Sequence, residues 1–411
     1  MLPAPPESPD SPPRQPLPRN VRVLGFVSLL NDIASEMIYP LMPQFLITVL
    51  GGNRWHLGLI EGVAETGSSL LKLWSGACSD RMLRRKRFVV AGYLLAGIAR
   101  PVIGCAGLPW HLFALRVLDR AGKGIRTAPR DALIADSTPA EQRGAAFGFH
   151  RAMDHLGATI GPVLAALFLW WWPGQLRLLF LLTLVPGILV VALLLAALRE
   201  PPAKPPSTPE THSAAGSRLS RSRFERRFWW FLATLALFTL GNSSDAFLLV
   251  RAGQLGVSNV HLPLLWCTFH AVKSSGNLLA GRAVDRWGPR PLILAGWLMY
   301  AVIYLAFALA SAAWQIWGLF VAYGLFYALT EPAEKTLVAQ LVPAEQRGLA
   351  FGWFNGAVGV AALPASAIFG ALYEQFGALA AFGWGASLAA AAALLFALLP
   401  RQRAAPSTVA A

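Results

Sequence analysis

Charged side chains recur inside stretches of this sequence that are otherwise apolar, and their spacing limits what they could do. Asp32 and Glu36 stand four residues apart, so a helix places them on one face, one turn from each other. Glu61 and Glu65 repeat that spacing in the next apolar run, and Arg120 and Asp154 interrupt two later runs. If each run is a helix crossing a hydrocarbon core, a rise of about 1.5 Å per residue converts position into depth. Asp32 then lies roughly 15 Å in from Arg22, and Glu65 roughly 14 Å in from His56. Arg120 lies roughly 15 Å from Trp110, and Asp154 roughly 15 Å from Gly144. Four runs thus bring charge to one level, near the middle of a core about 30 Å thick.

A charge at that depth costs at least about 2.5–3.5 kcal/mol on insertion scales, so it lines a wet cavity or is paired. Carboxylates whose solvation changes with conformation exchange protons as they move, which makes Asp32, Glu36, Glu61 and Glu65 candidate proton carriers. Arg120 stays ionised and would hold a carboxylate charged in one conformation and release it in another. The competing expectation is a fixed structural pair between Arg120 and Asp154. In the second half of the chain, His270 and Lys273 are expected to be the only titratable groups near mid-depth. Its other side chains at that level are aromatic: Trp297, Tyr300, Tyr304, Tyr323, Tyr327 and Trp353. With Tyr39 and Lys123, the residues His270, Lys273, Tyr300, Tyr323, Tyr327 and Trp353 are the candidates to line a substrate cavity. His150 and His155 are five apart and share no helical face, so no metal site is expected.

These residues need helices to hold them, and the composition supplies them. The chain of 411 residues is 55% hydrophobic and only 14% charged, against about 25% charged in soluble domains. Its apolar runs are long and continuous, which excludes a barrel, whose strands alternate over about ten residues. Twelve runs are expected to span: near 21–50, 56–79, 88–107, 110–136, 144–170 and 176–198, then 228–252, 261–284, 291–311, 314–341, 348–372 and 377–400. The formal charge of +14 sits in short loops and is a topology signal rather than a nucleic-acid footprint. It places both termini and the segment 199–227 on the cytoplasmic side. The proline-rich residues 1–20 read as a disordered tail, 199–227 as a flexible linker and 401–411 as a second tail. Cys78, Cys105 and Cys267 show no paired spacing and read as free thiols.

The chain also repeats itself. TPAEQRGAAFG (138–148) is answered by VPAEQRGLAFG (342–352), 204 residues on. A period of half the chain implies duplication of a six-helix unit, 21–198 and 228–400, and not a solenoid. A second pair of matching segments closes the second span of each half. GACSDRMLRRK carries Gly76, Asp80, Arg81 and Arg84; GRAVDRWGPRP carries Gly281, Asp285 and Arg286. A glycine allows close helix approach, an aspartate caps or pairs at a neighbouring helix start, and arginines hold the loop at the headgroups.

In these paired loops the sequence resembles the major facilitator superfamily of secondary transporters, and its drug/proton antiporter branch in particular, over essentially its whole length. The resemblance implies an all-α polytopic protein of about twelve transmembrane helices in two pseudo-symmetric six-helix bundles around a cavity opening alternately to either side. Leu83 stands where the loop motif usually has glycine, whereas Gly288 keeps it. Arg120-Ala-Gly-Lys123-Gly124-Ile-Arg126-Thr-Ala128 resembles a motif of proton-coupled exporters, with Lys123 and Arg126 in place of Gln and Gly. Gly157-Ala-Thr-Ile-Gly161-Pro162-Val-Leu-Ala165-Ala166 resembles the fifth-span signature of antiporters; close helix packing alone would also account for it.

The expected function is therefore secondary active transport of a small molecule by alternating access, with proton-coupled export by antiport in the lead. The proton gradient would supply the energy, with no cofactor, in a monomer of the cytoplasmic (inner) membrane whose partners are the solute and the bilayer, not nucleic acid. Proton-coupled uptake of a small organic anion, bound by Arg120, Lys123 and Lys273, is the alternative. An intramembrane lipid-modifying enzyme using His150, Asp154 or His155 is remote, because no nucleophile or metal spacing accompanies them. GKGIRT (122–127) is not a Walker sequence, so ATP-driven pumping is not expected.

Overall fold

Residues 16–82, 85–139, 142–200, 224–342 and 347–398 are described by the computed structural model, which is entirely helical over them. In the first half, α1 is Arg19–Ile38, α2 Arg54–Met82, α3 Arg85–Ile103, α4 Pro109–Asp136 and α5 Arg143–Trp171, and α6 comprises Leu176–Leu182 and Leu184–Ala197. In the second, α7 comprises Arg226–Gly241 and Ala246–Gln254, α8 is His261–Trp287, α9 Pro289–Leu309 and α10 Ala313–Gln340. The last helical stretch, Arg347–Ala397, is interrupted at Gly377, where φ is +81°. Glycine adopts that conformation without the steric penalty a Cβ brings. It divides the stretch into α11 (347–376) and α12 (378–397).

These long helices turn large hydrophobic side chains such as Ile188, Leu195, Val302 and Leu394 outward, which fits a bilayer and not water. Six stretches are long and apolar enough by themselves to cross one, including Leu176–Ala197, Pro289–Leu309 and Ala350–Ala397. α2 and α4 fall short of that measure, and both carry charges at mid-depth. Trp170 and Trp171 at the end of α5 and Trp314 at the start of α10 are more than 70% exposed. Indole rings of this kind settle at the membrane–water boundary.

Both halves pack alike: α2 against α4 and α3 against α4 in the first, α8 against α10 and α9 against α10 in the second. The halves meet where α2 lies along α11 and α5 along α8. At the end that bears the linker, Asn20 at the start of α1 donates to the carbonyl of Arg199 just past α6 (2.9 Å). At the opposite end, Arg54 pairs with Glu374 across the halves at 3.0 Å. Between these ends Thr66 Oγ1 donates to Gly359 O at 2.7 Å, and a Cβ on Gly62 would sit 3.0 Å from the Leu363 Cα. These contacts run from the far end to mid-depth.

Two spans are broken. After Ile38, α1 tightens through Tyr39–Leu41 and widens through Phe45–Val49, where Pro40 and Pro43 remove backbone donors. In α7 the helix stops at Gly241 and restarts at Ala246; in the break Ser244 Oγ accepts from the Ala246 N–H at 3.3 Å, while Asn242, Ser243 and Asp245 bond tyrosine hydroxyls. Residues 1–15 and 399–411, the segment 201–223 and half of the repeated Pro-Ala-Glu-Gln-Arg-Gly hinge (140–141 and 343–346) lie outside the described residues.

Candidate functional site

Two groups of charged residues converge where the first-half helices face the second half. The deeper is a buried ion network. Arg116 on α4 donates from Nε to Glu61 Oε1 of α2 at 2.9 Å and from Nη2 to Oε2 at 3.2 Å. Its Nη1 reaches Asp119, one turn on, at 3.3 Å. Asp119 also takes Arg100 Nε of α3 at 2.8 Å, and Arg100 Nη1 continues to the carbonyl and side-chain oxygens of Asn31 on α1 at 2.9 and 3.0 Å. Four helices are thus tied at one level by side chains almost fully withdrawn from solvent. Two guanidiniums balance two carboxylates, and the bidentate Arg116–Glu61 fork supplies the directional bonds that buried charge requires. Ser244, in the break of α7, donates to Glu61 at 3.4 Å, so the network touches the second half. Its neighbour Asp245 accepts from Tyr323 at 2.6 Å and from Tyr327 at 3.5 Å.

Beside the network lies a cavity of about 410 Å³, lined by α1, α2, α3, α4, α5 and α8. On its acidic side Asp32 lies near Asp154 and Glu36. Asp154 accepts a short hydrogen bond from Ser28 and lies 3.6 Å from His150 Nδ1 and 3.7 Å from Arg151. Glu36 accepts from Trp266 Nε1 of α8 at 2.8 Å and lies 3.9 Å from His270. On its basic side α4 presents Arg120, Lys123, Arg126 and Arg130, and α2 adds Lys72. Arg130 is paired with Asp131 at 2.9 Å. Among the described residues Lys72, Arg120, Lys123 and Arg126 form no ion pair. Eight arginines and lysines line the cavity against five aspartates and glutamates.

The family model of the Major Facilitator Superfamily matches residues 24–272 and 252–411. This chain belongs to that superfamily. An uncharacterized MFS-type transporter of Methanocaldococcus jannaschii is 33% identical over 87% of this chain and 89% of its own. The multidrug resistance protein MdtH of Salmonella arizonae is 26% identical over 82% of this chain and 85% of its own. Among solved structures, a bacterial homologue of the lysosomal transporter Spinster in an inward-facing, unoccupied conformation superposes with a TM-score of 0.70 at 19% identity, covering 92% and 94% of the two chains. A D-xylose–proton symporter does so at 0.72 and 19%, covering 93% and 97%. The superfamily transports small solutes across membranes; this chain is a multi-pass transporter and not an enzyme.

Within the superfamily fold, the residues singled out by sequence divide into three sets. Asp32, Glu36, Arg120, Lys123, Asp154, His270 and Lys273 meet in the cavity. Glu61 is instead locked to Arg116. Glu65, half-buried one turn on, faces the positive charges of Arg120, Lys123 and Lys72. The fixed Arg120–Asp154 pair is not formed: Arg120 lies 6.0 Å from the Tyr39 ring centre, and Asp154 has the partners given above. Tyr39 is nearly buried between Arg116 and Trp266, whose ring lies 5.1 Å away.

Tyr300 and Tyr323 have no solvent exposure and belong to an aromatic core of the second half, with Tyr300 stacked on Tyr304 at 4.1 Å. They line no part of the cavity described above, because α9 and α10 turn these faces toward α7. Tyr327 lies at the edge of that core, 4.3 Å from Lys273 Nζ. Trp353 packs edge-on against Trp229 at 5.2 Å, away from the cavity. Gly157 and Gly161 lie against α1, where added Cβ atoms would meet the carbonyls of Leu29 and Ile33 at 2.6 and 2.7 Å, with Pro162 next in the helix. The surroundings of Gly76 and Gly281, the side chains of Asp80, Arg81 and Asp285, and all of Arg84 lie outside the described residues; Arg286 is exposed beside Trp287. Among the described residues there is no cluster able to hold a metal ion.

A further expectation is overturned. His270 and Lys273 are not the only titratable groups at depth in the second half. Asp245 sits in the break of α7; Glu331 pairs with Lys273 at 3.3 Å, and Glu334 accepts from Trp297 at 3.0 Å. The sequence signal for Asp245 was the Asn-Ser-Ser-Asp interruption of an apolar run, read as part of a continuous span. Arg100, Arg116 and Asp119 were also missed. Each lies on a run already assigned to the membrane, and Arg116 and Asp119 are within one turn of Arg120.

Proposed function

We propose that this protein is a proton-coupled transporter of a small organic anion in the cytoplasmic (inner) membrane, working by alternating access with the proton gradient as its energy source. The observation that carries this reading is the charge of the cavity, eight basic residues against five acidic ones. Unpaired Lys72, Arg120 and Lys123 attract a negative solute. Asp32, Glu36 and Asp154 repel it until they are protonated. Anion and proton therefore favour each other's binding, which is the linkage of a symporter. With the linker end cytoplasmic, the contacts closing the far end leave the cavity on the inner side. A second reading, export of drugs by proton antiport, is favoured by the MdtH relative.

The two readings give opposite proton movements. In proteoliposomes loaded with a pH dye, an external anionic solute should acidify the lumen under symport, and Asp32→Asn or Asp154→Asn should abolish the change. Lumenal alkalinisation on adding lipophilic cations, with no response to anions, would replace the proposal with drug/proton antiport.

A further inference from the structure

Arg126 stands apart from the other cations of the cavity. It is 4% exposed, lines the cavity, and its Nη1 has no hydrogen-bond partner. Its guanidinium lies over the ring of Tyr93, 4.4 Å from the centroid, and its backbone packs where α3 and α4 approach through Gly92 and Gly122. The fork is thus held in place by packing, and a donor is left over. Arg120 lies at i−6 and Lys123 at i−3 on the same helix, and Lys72 faces them from α2. A buried donor without a partner is costly, and it persists where a ligand completes it.

The geometry points to a phosphoryl-binding site at Arg126, Lys123, Arg120 and Lys72, taking the dianionic headgroup of a small phosphate ester. This rests on the reading that the cavity takes an anion, and names the class. A monocarboxylate neutralises one guanidinium and leaves several cations facing each other. A phosphoryl group brings a charge of about −1.5 to −2 and three acceptor oxygens near neutral pH. One edge fits the Arg126 fork, and the remaining oxygen accepts from Lys123 or Arg120. Glu65 faces Arg120, Lys123 and Lys72 of this set but not Arg126.

The test uses the purified full-length protein in detergent. Thermal midpoints are measured with inorganic phosphate, glycerol 3-phosphate, lactate or tetraphenylphosphonium, and affinities by titration calorimetry. Glycerol 3-phosphate should raise the midpoint, with inorganic phosphate acting more weakly and lactate leaving it unchanged. Arg126→Gln should weaken phosphoryl binding by about tenfold or more, and Arg126→Lys, which keeps the charge and the fold but loses the fork, should weaken it by less. Inorganic phosphate binding as tightly as the ester would overturn the ester assignment. Lactate binding as well as the ester, or ester binding indifferent to both Arg126 variants, would overturn the phosphoryl site while the anion reading stands. Stabilisation by tetraphenylphosphonium alone would overturn both.

Discussion

Arg116 is the residue on which the buried network turns. It is 2% exposed and makes three charge-assisted hydrogen bonds to two carboxylates on two helices. Removing one member of such a pair strands the others, at a cost of about 3–5 kcal/mol. Arg116→Gln should therefore lower the thermal midpoint of the purified protein sharply. The double variant Arg116→Gln with Glu61→Gln should recover a large part of the loss, since one stranded carboxylate is gone. Equal midpoints for the single and double variants would mean that Glu61 is not held by Arg116. Of this residue-level picture, the sequence made the acids of α1 and α2 legible, because depth follows from position along a helix. It left the partners illegible. Glu61 and Glu65 are one turn apart, and only packing decides that the first is neutralised by Arg116 while the second faces the charges of Arg120, Lys123 and Lys72.

At the scale of helices, the site depends on how closely α1 and α5 lie. Gly161 allows this: an added Cβ would meet backbone on α1, Ile33 O at 2.7 Å and Met37 N at 3.0 Å, where no flexible side chain can give way. Asp32 and Asp154, which share the acidic side of the cavity, are carried by these same two helices. Gly161→Leu should lower stability by about 1–3 kcal/mol, the usual range for overpacking. It should also reduce solute-driven proton movement beyond what the lost fold explains, because the two carboxylates separate. Normal coupling by the leucine variant would detach the α1–α5 approach from the proton site. The lengths of the helices were legible in the apolar runs, as was the small-residue signature on α5. The break in α7 was not, since four polar residues in an otherwise apolar run do not reveal whether the helix continues through them. Asp245 was lost with it.

For the whole molecule, the repeat and the charges tell different stories. Both halves share their helix pairings, yet the cavity charges come almost wholly from the first half: position 120 is Arg where its counterpart 324 is Gly, and Asp154 corresponds to Val358. The second half contributes an aromatic core and a surface against which the first can move. If alternating access is that movement, the α2–α11 contacts at the far end must open in each cycle. A disulfide between Gly62→Cys and Leu363→Cys should prevent it. The Cβ position of residue 62 lies 3.0 Å from the Leu363 Cα, within reach of a bridge. The native Cys78, Cys105 and Cys267 are unpaired and would first be replaced by serine. Oxidation should stop transport in proteoliposomes, and reduction should restore it. Ligand binding in detergent should survive oxidation, because the cavity lies on the linker side of the lock. Transport that continues through a fully formed bridge would show that α2 and α11 stay together throughout the cycle, and the moving boundary would then have to lie elsewhere.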